Sequence, residues 1–148
     1  MIAKGVLVAA LAVLSWGARA EVVNIDSKKL EQLIAKGVPL IDIRTEGEWN
    51  ATGVVAGSKL LTFFDERGQA NTSLWLERAK PIAGPENPVI LICRSGNRSN
   101  AAAKFLSDHA GYKTVYNVSR GMNGWVGEGR KPVSADRSMA VCLLGRPC

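Results

Sequence analysis

Apolar and polar positions along this chain follow two different periods, and the periods alternate. Val89 to Ile92 is an unbroken apolar run, the pattern of a strand buried on both faces. Glu21–Ile25, Pro39–Ile43, Ser58–Phe63 and Thr114–Val118 are further strand candidates. Between them the period changes to that of a helix. Leu30, Leu33 and Ile34 fall on one face of a helix capped by Asp26 or Ser27, running to Lys36 and stopped by Gly37. Thr45-Glu46-Gly47-Glu48 reads as a capping box opening a short helix. Thr72–Lys80 is helical, ended by Pro81, Gly84, Pro85 and Pro88. Ala102, Phe105 and Leu106 recur at helical spacing up to Gly111. Gly121–Gly129 is glycine-rich around Trp125. Such alternation predicts an α/β domain with a parallel, helix-covered sheet. The pattern is lost from Ser134, so residues 134–148 read as a tail.

The first 20 residues stand apart. Met1–Lys4 is a basic start, Gly5–Trp16 is apolar, and Ala18-Arg19-Ala20 is a small-x-small cleavage site. This predicts a signal peptide cut after Ala20 and a periplasmic or secreted protein. The apolar run is short for a membrane span, so an uncleaved anchor is the lesser reading. The mature chain, 21–148, loses Lys4 and Arg19, and its formal charge falls from +6 to +4. With no Lys/Arg block and no RNA-binding aromatic motif, nucleic-acid binding is not expected. At 47% hydrophobic and 22% charged, the chain suits one globular domain, placed at 21–133.

Cys93 is the residue with chemistry to explain. It ends the buried strand and precedes Arg94, Ser95, Gly96, Asn97, Arg98 and Ser99, which turn the chain into a helix. Open α/β sheets bind ligands at this place, and free N–H groups at a helix start stabilise an anion, including a thiolate. Gly96 permits the backbone angles that curl several N–H groups toward one point. The one histidine, His109, lies sixteen residues further on, near the far end of the following helix. At about 1.5 Å of rise per residue it is too distant to serve as a base for Cys93. A Cys–His protease is therefore disfavoured, and Cys93, Cys142, Cys148 and His109 show no zinc-ligand spacing. Activation by backbone N–H groups and cations, without a base, suits phosphoryl or sulfur transfer.

Three segments in order resemble the single-domain rhodaneses, a sulfurtransferase family, here in an exported form. Leu40-Ile41-Asp42-Ile43-Arg44 with Glu48-Trp49 and Gly53 to Gly57-Ser58 is similar to the family's first signature. Cys93-Arg94-Ser95-Gly96-Asn97-Arg98-Ser99 is similar to its active-site loop. Val115-Tyr116-Asn117-Val118 with Gly121-Met122-Asn123-Gly124-Trp125 is similar to its closing segment. The likeness spans about Val22 to Val133. It departs at Val54, where the family usually has histidine after the glycine. Cys93 to Arg98 is C-x4-R, shorter than the C-x5-R loop of tyrosine phosphatases and of rhodanese-fold phosphatases.

The resemblance implies a rhodanese-like three-layer fold: a five-stranded, mainly parallel sheet with helices on both faces. It implies a thiosulfate sulfurtransferase in which Cys93 takes the outer sulfur of a small anionic donor as a persulfide and passes it to cyanide or a thiol. Residues 94–99 would bind the donor, with Arg94 and Arg98 drawing its sulfonate and the loop N–H groups holding the charged sulfur. Asp42 and Arg44 would support the loop without touching substrate, or form an ion pair or cap with Glu48. No metal or organic cofactor is required. The alternative is a persulfide carrier for another exported redox or sulfur-acceptor protein, with little turnover of its own. Cys142 and Cys148 read as a local disulfide, with redox exchange toward Cys93 or a partner as the sharper option.

Overall fold

The computed structural model describes residues 20–136. Five parallel strands form one sheet: β1 (Glu21–Ile25), β2 (Leu40–Asp42), β3 (Lys59–Leu60), β4 (Val89–Ile92) and β5 (Thr114–Val118), in spatial order β1-β5-β4-β2-β3. The unbroken apolar run therefore becomes the central strand, and all four of its residues are buried. Parallel strands need covered faces, and the helices supply them.

One face packs Trp75 and Ala79 of α3 (Thr72–Ala79) and Ala102, Ala103 and Leu106 of α4 (Asn97–His109) against Ile41, Val89, Leu91 and Val115. The other packs Leu30 and Leu33 of α1 (Ser27–Ala35) and Met122 and Trp125 of α5 (Gly121–Gly127) against Leu40, Ile90, Ile92 and Val118. Alternate residues of β4 thus feed opposite cores, as the strand's two-residue period requires. Asp26 caps α1, its side chain accepting from the Lys29 N–H at 2.7 Å. α2 (Glu46–Thr52) starts at the Thr45–Glu48 capping box.

Two elements differ from the sequence expectation. The third strand is two residues long, not six. Beyond it the Leu61 and Phe63 N–H groups still donate to the Asp42 and Ile43 carbonyls, each at 3.1 Å. The segment follows the sheet edge without a regular ladder. The glycine-rich stretch forms helix α5, because Met122 and Trp125 sit three residues apart on one face and both are buried.

At the C-terminal end Val133 pairs antiparallel with Val54, and Ala135 is buried beside Trp49. Packed chain thus continues two residues beyond Val133. The segment expected to be a signal peptide, up to residue 19, and the tail from 137 with Cys142 and Cys148 lie outside the described residues. Among the described residues no helix is long and apolar enough to cross a membrane.

Candidate active site

β4 carries Cys93 to the carboxyl end of the sheet's central strand, and the loop then curls back over it. Gly96 makes the curl. Its φ is +94°, and a Cβ there would lie 2.2 Å from the Ser119 carbonyl oxygen, so any other residue meets both backbone strain and a clash. The curl turns the Gly96 N–H onto the Cys93 Sγ at 3.1 Å. The first turn of α4 adds the Ser99 N–H at 3.4 Å and the Ser99 hydroxyl oxygen at 3.2 Å. The N–H groups of Ser95, Asn97 and Arg98 have no acceptor among the described residues. Backbone donors and the positive end of a 13-residue helix thus converge where a charged sulfur would sit.

The closing segment holds the start of this loop. The N–H groups of Met122 and Asn123, at the start of α5, donate to the Cys93 and Arg94 carbonyls, both at 2.9 Å. That contact demands Gly121, where a Cβ would sit 2.3 Å from the Cys93 carbonyl oxygen. Cys93 itself is 1% exposed.

The two loop arginines have different surroundings. Arg98 is half-buried and gives both arms of its guanidinium to Glu48, at 2.6 and 2.8 Å. The pairing holds the Glu48 carboxyl down at about 2, chiefly through the Arg98 hydrogen bonds, against a smaller opposing effect of burial. Arg98 is raised in turn by Glu48 first and, to a lesser degree, by the nearby Cys93 and Asp42. Arg94 is exposed, with no side-chain partner among the described residues. It lines a cleft of about 960 Å³ together with Gly47, Ala51, Met122, Asn123 and Val126. A second cleft of about 690 Å³, beyond the Glu48–Arg98 pair, is lined by Phe64, Asn97 and Arg98.

Asp42 and Arg44 form a buried ion pair at 2.7 Å. Arg44 also donates to the Thr52 hydroxyl at 2.7 Å and to the Gly53 carbonyl at 2.8 Å. It therefore ties the end of β2 to the end of α2, which presents Glu48 to Arg98. Breaking such a pair strands a buried charge and costs about 3–5 kcal/mol. Of the aromatics near the loop, Phe64 lines the smaller cleft. Phe63 and Trp125 are core residues, Phe63 in edge-on contact with Phe64 and Trp75 at 4.8 and 5.0 Å. His109 is exposed at the end of α4, away from the loop.

The structure thus gathers Cys93, Gly96 and Ser99 around the sulfur, places Arg94, Ser95 and Asn97 on the exposed rim, and engages Arg98 with Glu48. Sequence reasoning passed over Asn117, buried within β5 with its Oδ1 2.6 Å from the Ser99 hydroxyl. The one available signal was an amide inside an otherwise apolar strand.

The family model described as "Rhodanese-like domain" matches residues 26–128, which include the cysteine loop, the Asp42–Arg44 and Glu48–Arg98 pairs and the closing helix. The chain belongs to the rhodanese-like family. This rhodanese-like domain is 30% identical over 110 residues to "Thiosulfate sulfurtransferase 18" of Arabidopsis thaliana, covering 72% of this chain and 79% of that relative. It is 30% identical over 120 residues to "Rhodanese-like domain-containing protein 17" of the same plant, covering 78% of this chain and 75% of the relative. Among solved structures, it is similar to the polysulfide-sulfur transferase homodimer from Wolinella succinogenes, at TM-score 0.60 and 29% identity over 79% of this chain and 82% of that one. Rv0390 from M. tuberculosis matches at TM-score 0.62 and 25% identity, over 76% of this chain and 96% of that one. At family level the rhodanese-like domain is a sulfurtransferase.

Proposed function

We propose that this rhodanese-like protein moves a sulfane sulfur from thiosulfate, or a similar anionic donor, to a thiol or cyanide through a persulfide on Cys93. The observation that carries the reading is what converges on Sγ: the Gly96 and Ser99 N–H groups as donors, with the Ser99 hydroxyl oxygen in contact beside them. A sulfur nucleophile held this way needs no neighbouring base, and its anion is stabilised where it forms. In the first step the Cys93 thiolate attacks the outer sulfur of thiosulfate. The S–S bond of the donor breaks, sulfite leaves with that bond's electron pair, and Cys93 keeps a terminal sulfur. The free N–H groups of Ser95, Asn97 and Arg98 would take that sulfur, one bond further out than Sγ. Arg94, with no side-chain partner among the described residues, is the cation for the donor's sulfonate, while Arg98 holds the loop against Glu48. In the second step cyanide or a thiolate attacks the terminal sulfur and Cys93 leaves as thiolate. The burial of Cys93 favours a donor that offers a single slim atom, which the outer sulfur of thiosulfate is.

Export to the periplasm or beyond, with the leader cut after Ala20, belongs to the same proposal and rests on the sequence of residues 1–20. A second reading has one observation behind it: the cleft beside Arg94 is open and carries Val126, an exposed apolar residue, on its lining. Such a surface suits a protein acceptor that unloads the persulfide, in which case turnover with small acceptors is slow.

Cys93→Ser tests the nucleophile. A hydroxyl of nearly the same size cannot form a persulfide, so thiosulfate:cyanide turnover is expected to vanish while circular dichroism stays unchanged. A folded Cys93→Ser protein that still turns over would overturn the proposal.

A further inference from the structure

Sulfur chemistry at Cys93 uses the Ser99 hydroxyl but leaves the amide behind it without a task. Asn117 is 3% exposed, and its register partner across the β1–β5 pairing is Asn24. Asn117 Oδ1 lies 2.6 Å from Ser99 Oγ, Asn117 Nδ2 lies 2.8 Å from Asn24 Oδ1, and Ser99 Oγ lies 3.2 Å from Cys93 Sγ. These contacts form an unbroken file from the solvent-exposed Asn24 to the sulfur.

A hydroxyl has a single hydrogen to give. With Oδ1 of Asn117 turned to Ser99, that hydrogen lies along the short contact to Asn117, and Ser99 Oγ meets Sγ with a lone pair. This arrangement suits a thiol, whose S–H can be accepted. A thiolate or a persulfide anion has no hydrogen to offer there and needs a donor. A half-turn of the Asn117 amide supplies one. Nδ2 then donates to Ser99 Oγ, the Ser99 hydrogen swings onto Sγ, and Oδ1 of Asn117 accepts from Asn24. Asn24 makes the matching half-turn at the surface, where water serves either orientation. The same heavy-atom positions serve both arrangements, because the two ends of an amide are alike in size. Every buried polar group stays paired in both.

We infer that Asn117 is a positioning residue that, together with Asn24, switches the Ser99 hydroxyl from acceptor to donor when Cys93 becomes an anion. No proton travels along the file: the Cys93 proton goes to solvent, and Ser99 keeps its hydrogen throughout. The inference rests on the reading of Cys93 as the nucleophile, but it concerns the state of the thiol and not the identity of the donor.

Asn24→Asp tests it at the exposed end. A carboxylate can only accept, so it holds Nδ2 of Asn117 toward itself and locks the file in the thiol arrangement. Alkylation of Cys93 by iodoacetamide at neutral pH is expected to slow about tenfold, the worth of one hydrogen bond to a charged group, with a matching loss of thiolate ultraviolet absorbance. The slowing should persist at molar salt, where an exposed charge acting through space is screened. Adding Asn117→Leu to Asn24→Asp cuts the file and should restore most of the lost rate. Alkylation of Asn24→Asp at the wild-type rate would overturn the inference. So would slowing that salt abolishes, or slowing that Asn117→Leu does not relieve. Alkylation needs no sulfur donor. A protein that shows the switch but forms no persulfide therefore fails the proposed function alone.

Discussion

Arg94 has no side-chain partner among the described residues, and the proposed function gives it the charge of the donor to hold. Arg98, four residues on, spends both arms of its fork on Glu48, so the two residues are not equivalent despite their shared loop. Arg94→Ala is therefore expected to weaken use of thiosulfate and to leave an uncharged sulfane donor less affected. One lost charge-assisted contact corresponds to about 1.5–3 kcal/mol in kcat/KM. Parallel losses with both donors would show that Arg94 shapes the loop and does not read charge. The cysteine, the left-handed Gly96 and the helix-opening serine could all be found in the sequence because they are contiguous. Asn117 could not be assigned from the sequence, since its partners Ser99 and Asn24 lie 18 and 93 residues away.

Elements set the frame in which those residues work. α2 is a short helix whose position is fixed by the Arg44 ties at Thr52 and Gly53, and it presents Glu48 across the loop to α4. The Glu48 carboxyl is depressed to about 2 from an ordinary 4.5, so folding gains from the pair above pH 4.5 and loses that gain as pH falls toward 2. Both side chains are partly exposed, which reduces the effect to about 1 kcal/mol. Glu48→Gln should lower stability by that amount in urea unfolding at pH 7, and the gap between variant and wild type should narrow between pH 4.5 and 2. A gap that stays constant with pH would mean that Glu48 acts through shape alone. The capping box at Thr45 was legible because it is local. The Glu48–Arg98 pairing was not, because it joins residues 50 apart. Element boundaries followed the same rule. β4 and β5 carry their own apolar runs and stood out. β3 is short because its outer residues take sheet hydrogen bonds without a regular ladder, which no local pattern encodes. α5 is a helix despite its glycines because the sheet face beneath it buries Met122 and Trp125.

For the whole molecule, the sheet order places β4 between β5 and β2 and sets the cysteine loop at the centre of one sheet end. All-parallel order was foreshadowed by the alternation of strand and helix, but not the closing contact of Val133 with Val54 or the burial of Ala135, which join distant parts of the chain. Every group described around Cys93 comes from residues before Gly124. Truncation after Asp136 removes Cys142 and Cys148 while keeping Ala135 in place, and thiosulfate:cyanide turnover should be unchanged in reducing and non-reducing buffer. Altered turnover with thiol acceptors would instead make the tail cysteines participants. The claim that joins fold, loop and chemistry is that Cys93 carries the sulfur. Peptide mass spectrometry of the protein after brief exposure to thiosulfate reads it directly. One added sulfur atom, confined to the peptide containing Cys93 and removed by cyanide, is the predicted result. Turnover of thiosulfate with no sulfur on that peptide, or with the added sulfur on Cys142 or Cys148, would contradict it.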